Sequence, residues 1–175
     1  MNIAKASFTA LLIVVSLFGL SSTGYSHGDV QPQEVDITGL KPLGDAWLNE
    51  LPYTVEKTPD QIKRAIEIGC SAYVKNCARC HGIGVISGGT APDLRYLEKD
   101  QGGDEWFINR VRNGYYQNGI TKMPKFEGLI PQEAMWAIRA FVNIRPEEDS
   151  DAVKPGLGNI CPDIDYDKVT QKPGS

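Results

Sequence analysis

Apolar and polar positions recur with a helical period in several stretches of the chain, and the clearest of these begins at Thr58. This capping residue is followed by proline at the first helical position and by glutamine at the third. The residues of the next five turns that share one helical face are Ile62, Ile66, Gly69, Tyr73 and Cys77. The pattern predicts a helix that starts at Thr58 and runs directly into residues 77–81.

Two later stretches show the same period. Residues 104–113 include the apolar residues Trp106, Phe107, Ile108 and Val111, and Gly114, which can end a helix, follows them. In residues 131–145 one face is made of Ala134, Ala137, Ile138, Phe141 and Val142, and we expect Pro146 to stop that helix. No stretch alternates convincingly as a strand. The predicted fold class is therefore all-α, with few helices and long loops, and such a chain would struggle to fill its core without a large buried cofactor.

The first 26 residues have the order of a secretory signal peptide. Lys5 supplies a positive charge, residues 10–20 are apolar, and residues 21–26 are small or polar. The apolar run is shorter than the roughly 20 residues that span a bilayer. An uncleaved membrane anchor is the competing interpretation. We expect residues 1–26 to be removed and the mature protein to lie in the periplasm without a membrane span.

Charge divides the remainder into three parts. Residues 27–57 hold six acidic residues against two basic ones, residues 58–145 hold nine against twelve, and residues 146–175 hold seven against three. We interpret these parts as an irregular, proline-bearing N-terminal arm, a central domain and an acidic C-terminal tail. No long basic stripe appears, which argues against nucleic-acid binding.

The strongest chemical signal is the motif Cys77-x-x-Cys80-His81. Two thiols at this spacing can each add to a haem vinyl group, and the histidine that follows can bind the iron, so the motif is typical of covalent haem attachment. The alternatives are a redox Cys-x-x-Cys pair and half of a zinc site. A thioredoxin-like pair should start a helix after a strand, whereas this motif ends a helix. A zinc site would have to draw its other ligands from Cys70, Cys161 and His27.

The sixth iron ligand is predicted by elimination to be Met123. His27 lies in the irregular arm, Met1 leaves with the signal peptide, and Met135 falls inside the last helix, where core packing is expected. Met123 precedes Pro124, which stiffens the chain, and a thioether ligand raises the reduction potential of haem iron. The alternative is that Met123 packs and the iron keeps an open site.

Residues 58–145 resemble the class I cytochrome c family. The likeness is carried by the capped helix that enters the 77–81 motif, the run Ala91-Pro92-Asp93-Leu94, the Met123-Pro124 pair and the closing helix. The resemblance implies a cytochrome c fold around one haem c. It also implies that the carbonyl of Pro92 accepts a hydrogen bond from His81 and that Leu94 lies against the haem.

The same resemblance implies a crossing of the first and last predicted helices. Gly69 and Tyr73 would meet the closing helix near Ile138 and Phe141, because glycine allows two helices to approach closely. Ordinary core packing of these four residues is the plainer interpretation, and it predicts the same contacts.

A narrower resemblance concerns cytochromes that accept electrons from PQQ-dependent alcohol dehydrogenases, including those of the lanthanide-type methanol dehydrogenases. The similar segments are residues 39–44, 76–82, 86–89, 92–95, 126–128 and 132–138, together with Pro124. This resemblance implies a PQQ-dependent alcohol dehydrogenase as electron donor and a downstream cytochrome or oxidase as acceptor.

Some residues keep two interpretations at this point. Cys70 and Cys161 are expected to form a disulfide, because both lie in an exported chain, but two unpaired thiols are the alternative. Trp106 and Arg110 are either haem propionate partners or an ordinary core tryptophan and a solvated arginine. The apolar loop residues Ile83, Val85 and Ile86 either fold inward on the haem or form a docking patch.

The sequence predicts an electron carrier and not an enzyme. No general acid, base or nucleophile is evident, and a small haem peroxidase would need a distal base that the neighbourhood of the motif does not offer. A carrier with a different donor and a structural or sensing haem subunit are the remaining interpretations. A ferrous form that binds carbon monoxide would identify an open iron site.

Overall fold

The computed structural model describes residues 31–148 and Cys161. The predicted signal peptide, and all of the predicted tail except residues 146–148 and Cys161, lie outside these residues. Within them, no helix is both long enough and apolar enough to cross a membrane.

Two crossing helices form the centre of the fold. Helix α1 spans Pro59–Asn76 and helix α4 spans Gln132–Glu148. A Cβ atom at Gly69 would overlap the carbonyl oxygen of Ala137, so only glycine permits this approach. The rings of Tyr73 and Phe141 lie 5.6 Å apart between centroids. These contacts confirm the predicted pairing of the first and last helices.

The remaining helices connect this pair to the loops. Helix α2 is a single turn, Ala78–His81, directly after α1, and helix α3 spans Gln101–Asn113. Short 3₁₀ turns lie between them at Ile83–Val85 and Leu94–Tyr96. Helix α3 starts three residues before the predicted position because the carboxylate of Asp100 accepts a hydrogen bond from the backbone N–H of Gly103 at 2.8 Å.

The prediction that Pro146 stops the last helix was wrong, since α4 continues to Glu148. Proline removes one helical N–H but its fixed φ is itself helical, so the backbone can remain helical for the two residues that follow it. The prediction that Met135 packs in the core is confirmed, because that side chain is fully buried in α4.

The described chain is mostly helical but not all-α, because it contains a small antiparallel hairpin. Strand β1 is Tyr115–Gln117 and strand β2 is Ile120–Met123. Asn118 and Gly119 between them have φ of +51° and +78°, the left-handed values of a tight hairpin turn. The prediction of no strand missed this turn, although an Asn-Gly pair is a strong hairpin signal. The strands are short and exposed, so no alternation of apolar residues marked them.

The arm lies on the domain without helix or strand in its described part. Val35, Leu40, Leu51 and Tyr53 are buried in the common core. Backbone N–H groups of the arm donate to side chains of the helices: that of Gln33 to Asn76 Oδ1 at 2.7 Å, and that of Leu51 to Asp104 Oδ2 at 2.8 Å. The irregular segment is therefore fixed by polar side chains that replace a regular backbone pattern.

A buried ion pair joins the arm, α3 and α4. Arg139 in α4 is fully buried, and its Nε donates to Asp104 Oδ1 at 2.7 Å. The other oxygen of Asp104 accepts from the arm at Leu51. Loss of either charge alone would leave the other buried and uncompensated, which typically costs about 3–5 kcal/mol.

Candidate haem site

All six residues predicted to hold the cofactor line one cavity of about 510 Å³. The six are Cys77, Cys80, His81, Pro92, Leu94 and Met123. The walls also include apolar side chains of α3, of the loop after the hairpin and of α4, among them Phe107, Val111, Phe126 and Ile138. An apolar cavity with a few polar groups at its edge suits a flat hydrophobic cofactor.

The attachment motif is held by the junction of two helices. Cys77 ends α1 and begins α2, and its carbonyl accepts from the N–H groups of Cys80 at 3.1 Å and His81 at 3.0 Å. One helical turn therefore brings the two thiols and the imidazole to the same cavity. These are the two free cysteines of the described residues.

The surroundings of the motif bear on the redox and zinc alternatives. Burial raises the pKa of Cys77 to about 12, and the adjacent Cys80 adds to the shift. A redox Cys-x-x-Cys pair typically has a lowered thiol pKa, so a raised pKa does not favour a redox pair. Among the described residues, no three His, Cys, Asp or Glu side chains are grouped so as to hold a metal ion. Both alternatives to haem attachment lose support.

The ring of His81 is oriented by a backbone carbonyl. Nδ1–H donates to the carbonyl oxygen of Pro92 at 2.9 Å. This bond leaves Nε2 as the ring nitrogen that can bind a metal, and it increases the electron donation of that nitrogen. Burial lowers the pKa of His81, and the hydrogen bond to Pro92 opposes the shift. A neutral ring is the form that a metal ligand requires.

The turn that carries Pro92 is braced by short polar contacts. The hydroxyl of Ser87 donates to the carbonyl of Ala91, and the N–H of Ser87 donates to Asp93 Oδ2 at 3.4 Å. Arg95 Nη2 also pairs with Asp93 Oδ2, at 2.9 Å. Hydrogen bonding to Arg95 holds the pKa of Asp93 below its usual value, although burial opposes the shift. The carbonyl opposite His81 therefore belongs to a fixed loop.

Met123 is the last residue of strand β2 and lines the cavity. It pairs across the hairpin with Tyr115, with a bulge beside that pair. The hairpin thus positions the predicted sixth ligand, and it also contributes Tyr115, Gln117 and Lys122 to the cavity wall. These three residues were not identified from the sequence. The Asn118-Gly119 pair could have predicted the hairpin to which they belong.

Trp106 and Arg110 also line the cavity. The guanidinium of Arg110 lies over the ring of Trp106 at 5.1 Å and over the ring of Tyr115 at 4.4 Å. Trp106 is 42% exposed and so is not a core residue. The stack places the guanidinium of Arg110 at the wall of a mostly apolar cavity, where it can face an anionic group of a ligand, and Lys122 is a second cation of that wall.

Of the apolar residues in the loop after the motif, one is buried in the core and two are exposed on the surface. Val85 is fully buried, whereas Ile83 and Ile86 are 62% and 42% exposed. Val85 therefore packs in the core and cannot belong to a docking surface. The two isoleucines remain available for one.

Cys70 and Cys161 are joined by a disulfide with a Cα–Cα distance of 5.7 Å. Cys70 is almost completely buried and lies in α1, about two helical turns before Cys77. The bond attaches the later part of the chain to the helix that carries the motif.

Comparison with known proteins places these features in a family. A family model described as cytochrome c oxidase, cbb3-type, subunit III matches residues 55–142. Cytochrome c550 of Pseudomonas aeruginosa is 50% identical over 131 residues, covering 75% of this chain and 89% of that protein. The chain belongs to the c-type cytochrome family. No solved structure matches it.

Further relatives of this c-type cytochrome are larger proteins that it matches only in part. Quinohemoprotein alcohol dehydrogenase ADH IIB of Pseudomonas putida is 33% identical over 101 residues, covering 56% of this chain but 14% of the enzyme. The cbb3-type cytochrome c oxidase subunit FixP of Rhizobium etli is 34% identical over 94 residues, covering 50% of this chain and 33% of that subunit.

Membership of the family means that the cytochrome carries covalently bound haem c and acts as an electron carrier rather than an enzyme. The residues present fit that group, since an apolar cavity receives two free thiols and an oriented imidazole. The sequence has a single Cys-x-x-Cys-His motif, which corresponds to one haem. When bound, haem c supplies one iron that alternates between the ferrous and ferric states.

Proposed function

We propose that this cytochrome is a periplasmic one-electron carrier that accepts electrons from a PQQ-dependent alcohol dehydrogenase of the methanol type and passes them towards a terminal oxidase. The observation that carries the electron-transfer part is the single cavity that gathers two free thiols, an oriented imidazole and a methionine thioether. Each of these groups has a role in holding a haem, and none of them is required to transfer a proton.

We assign the residues of the cavity as follows. Cys77 and Cys80 would form the two thioethers with the haem vinyl groups, and His81 and Met123 would bind the iron. Pro92 accepts the hydrogen bond from His81, and Leu94, which lines the same cavity, would pack against the haem. No exchange of these two iron-binding side chains would be needed, because each belongs to a braced segment, one beside the Pro92 turn and the other at the end of the hairpin.

The chain's own groups favour rapid electron transfer with little rearrangement. The carbonyl of Pro92 keeps His81 in one tautomer, so no proton has to move at the imidazole. The apolar wall made by Leu94, Phe107 and Ile138 would keep water away from the bound haem, and that water would otherwise reorient when the charge of the site changes. A thioether from Met123 favours the reduced state and raises the potential.

Support for the donor comes from likeness and from charge. Three quinohemoprotein alcohol dehydrogenases, at 30–33% identity, contain a segment similar to about half of this chain. A segment that accepts electrons within such an enzyme would have the same task as a separate carrier that accepts them from one. The central domain has three more basic than acidic residues, whereas the arm and tail are acidic. An acidic surface on the donor would suit the domain.

Export is supported by the order of charged, apolar and small residues at the N-terminus, which lies outside the described residues. Covalent haem attachment takes place outside the cytoplasm in bacteria that contain a periplasm, so the proposed location and cofactor agree. Fractionation of the native cells, followed by mass determination of the purified protein, tests both. A cytoplasmic protein that retains residues 1–26 would contradict this part.

The cofactor assignment is tested by denaturation. Haem should stay with the chain through denaturing electrophoresis and acid–acetone extraction, and Cys77→Ala with Cys80→Ala should release it. Extraction of free haem from the wild-type protein would refute thioether attachment. The double change Cys70→Ala with Cys161→Ala is the matched control, since it removes the same number of sulfur atoms outside the cavity.

The partner is tested by stopped-flow reduction of the ferric protein by a PQQ-dependent alcohol dehydrogenase from the same organism. Rapid reduction in the presence of the alcohol is expected. The similarity to FixP makes another carrier role the second candidate. No reduction by the dehydrogenase, together with rapid reduction by another periplasmic donor, would reject the proposed donor and leave the haem chemistry intact.

A further inference from the structure

The segment directly after His81 has a strained backbone. Val85 has a φ of +70° and is fully buried, and Gly82 and Gly84 before it have φ of +84° and +68°. A β-branched residue seldom adopts the left-handed region, because its branched side chain crowds the backbone there. Such a conformation persists only where the surrounding structure imposes it, and it occurs most often at functional sites.

Two buried side chains donate hydrogen bonds to this segment. The hydroxyl of Tyr73 in α1 donates to the carbonyl of Gly82 at 2.9 Å, and Nε of Arg145 in α4 donates to the carbonyl of Gly84 at 3.0 Å. Tyr73 is 0% and Arg145 is 1% exposed. Burial raises the pKa of Tyr73 above its ordinary value, so its hydroxyl remains a donor. The strained segment is thus attached to both members of the central helix pair.

The conformation of this segment decides where His81 meets its acceptor. Residues 82–86 connect His81 to the turn that carries Pro92. The segment is tightly folded, since a Cβ atom at Gly82 would overlap the carbonyl oxygen of Ile86. Its far end is closed by the hydrogen bond from Ser87 to Ala91. Relaxation of residues 82–86 would therefore move the Pro92 carbonyl relative to Nδ1 of His81, which now lie 2.9 Å apart.

We propose that Tyr73 and Arg145 are positioning residues that hold residues 82–86 in a strained conformation and thereby keep the hydrogen bond from His81 to Pro92 short. This inference rests on the proposed role of His81 as an iron ligand. A strong hydrogen bond at Nδ1 makes the other ring nitrogen a better electron donor, and this favours ferric iron. Tyr73 and Arg145 consequently lower the reduction potential without touching the haem.

The test uses the holoprotein with the changes Tyr73→Phe and Arg145→Lys. Tyr73→Phe keeps the ring that packs on Phe141 and removes only the donor. Both variants should show an upward shift of the reduction potential. The Nδ1–H proton of His81 should exchange with solvent about five- to tenfold faster, the factor that one net hydrogen bond contributes. Tyr53→Phe is the matched control, because Tyr53 is equally buried and its hydroxyl bonds to Lys41 in the arm.

A rescue experiment separates positioning from a general loss of structure. Glycine adopts positive φ without strain, so in Val85→Gly the segment should keep its conformation without the hydrogen bonds from Tyr73 and Arg145. Adding Val85→Gly to Tyr73→Phe should return the potential and the exchange rate towards those of Val85→Gly alone. Purely additive effects, or variants that fold with an unchanged potential and exchange rate, would overturn the inference. If the Arg145→Lys protein is too unstable to be purified, the inference is tested by Tyr73→Phe and by its combination with Val85→Gly.

The failure of this inference and that of the proposed function give different results. Wild-type protein with attached haem and a histidine–methionine spectrum, but with no shift in the variants, rejects the positioning role only. Wild-type protein that releases its haem on denaturation, or whose spectrum is unchanged by His81→Ala, rejects the proposed function and this inference with it.

Discussion

At the scale of single residues, the chemistry of a side chain depends more on its environment than on its residue type. Met123 and Met135 are the two methionines of the described residues. Met135 is fully buried in α4, whereas Met123 is half-buried at the end of a strand and lines the cavity. The same thioether is a packing group in one place and a candidate iron ligand in the other.

Met123→Ala should remove the weak near-infrared band of sulfur-to-iron charge transfer in the oxidised protein and lower the reduction potential, because a soft ligand that stabilises ferrous iron is lost. Absorption spectroscopy and a redox titration measure these changes. Met135→Leu, a change of similar volume in the core, should keep the band and cost less than about 1.5 kcal/mol of stability. A wild-type spectrum with two-histidine character would contradict the assignment.

At the scale of the elements, the crossing of α1 and α4 determines where the motif can lie. The approach at Gly69 brings the two helix backbones together, and the motif follows at the end of α1. The hairpin then supplies Met123 to the cavity that the motif also lines. Each element therefore contributes one part of the site, and the separation of those parts depends on the crossing.

Gly69→Ala should destabilise the protein by about 3 kcal/mol or more, since the new methyl group would overlap the Ala137 carbonyl and force the helices apart. Chemical denaturation followed by circular dichroism gives the free energy of unfolding. Gly88→Ala is the control, because nothing lies within 4 Å of a Cβ atom there and its φ is not left-handed. Equal stabilities of the two variants would show that the crossing is not this close.

The disulfide between Cys70 and Cys161 connects α1 to a residue 91 positions later. Closing so long a loop should stabilise the protein by about 2–4 kcal/mol through the unfolded state. Cys161→Ser and the reduced wild-type protein should therefore unfold at the same, lower denaturant concentration. Peptide mapping under non-reducing conditions should find this linked pair. Two thiols that react freely with an alkylating agent in the native protein would argue decisively against it.

At the scale of the whole molecule, charge is distributed so that the domain and its extensions differ in sign. The domain of residues 58–145 has three more bases than acids, and residues 27–57 and 146–175 each have four more acids than bases. Lys122 is exposed at the rim of the cavity. A positive field around the cavity would steer the carrier to an acidic donor surface, while a weak electron-transfer contact stays small.

The rate of association with the donor should fall as salt is raised, by about tenfold or more between low and physiological ionic strength, because the attraction between the surfaces is screened. Stopped-flow reduction over a salt series measures this. Lys122→Gln should slow association at low salt, whereas Lys41→Gln in the acidic arm, an equal change of charge, should not. A rapid reaction whose rate does not depend on salt would support the proposed donor and contradict electrostatic steering.

The chemistry of this cytochrome could be predicted from its sequence because that chemistry is local. The motif of Cys77, Cys80 and His81 lies within one helical turn, and the periodic stretch before it predicted α1. The close contact at Gly69 was implied by the resemblance to the class I cytochrome c family. Covalent attachment depends on neighbours along the chain, so residues close in sequence are enough to indicate it.

Other features were decided only by the tertiary structure, because they depend on residues far apart in the chain. The hairpin was missed since its exposed strands carry no apolar alternation, and the end of α4 was misplaced at Pro146. The inward position of Val85, its strained backbone and the hydrogen bonds from Tyr73 and Arg145 to the preceding glycines bring together residues of α1, the loop and α4. No local pattern records such contacts, since the loop takes its conformation from the helices that it touches.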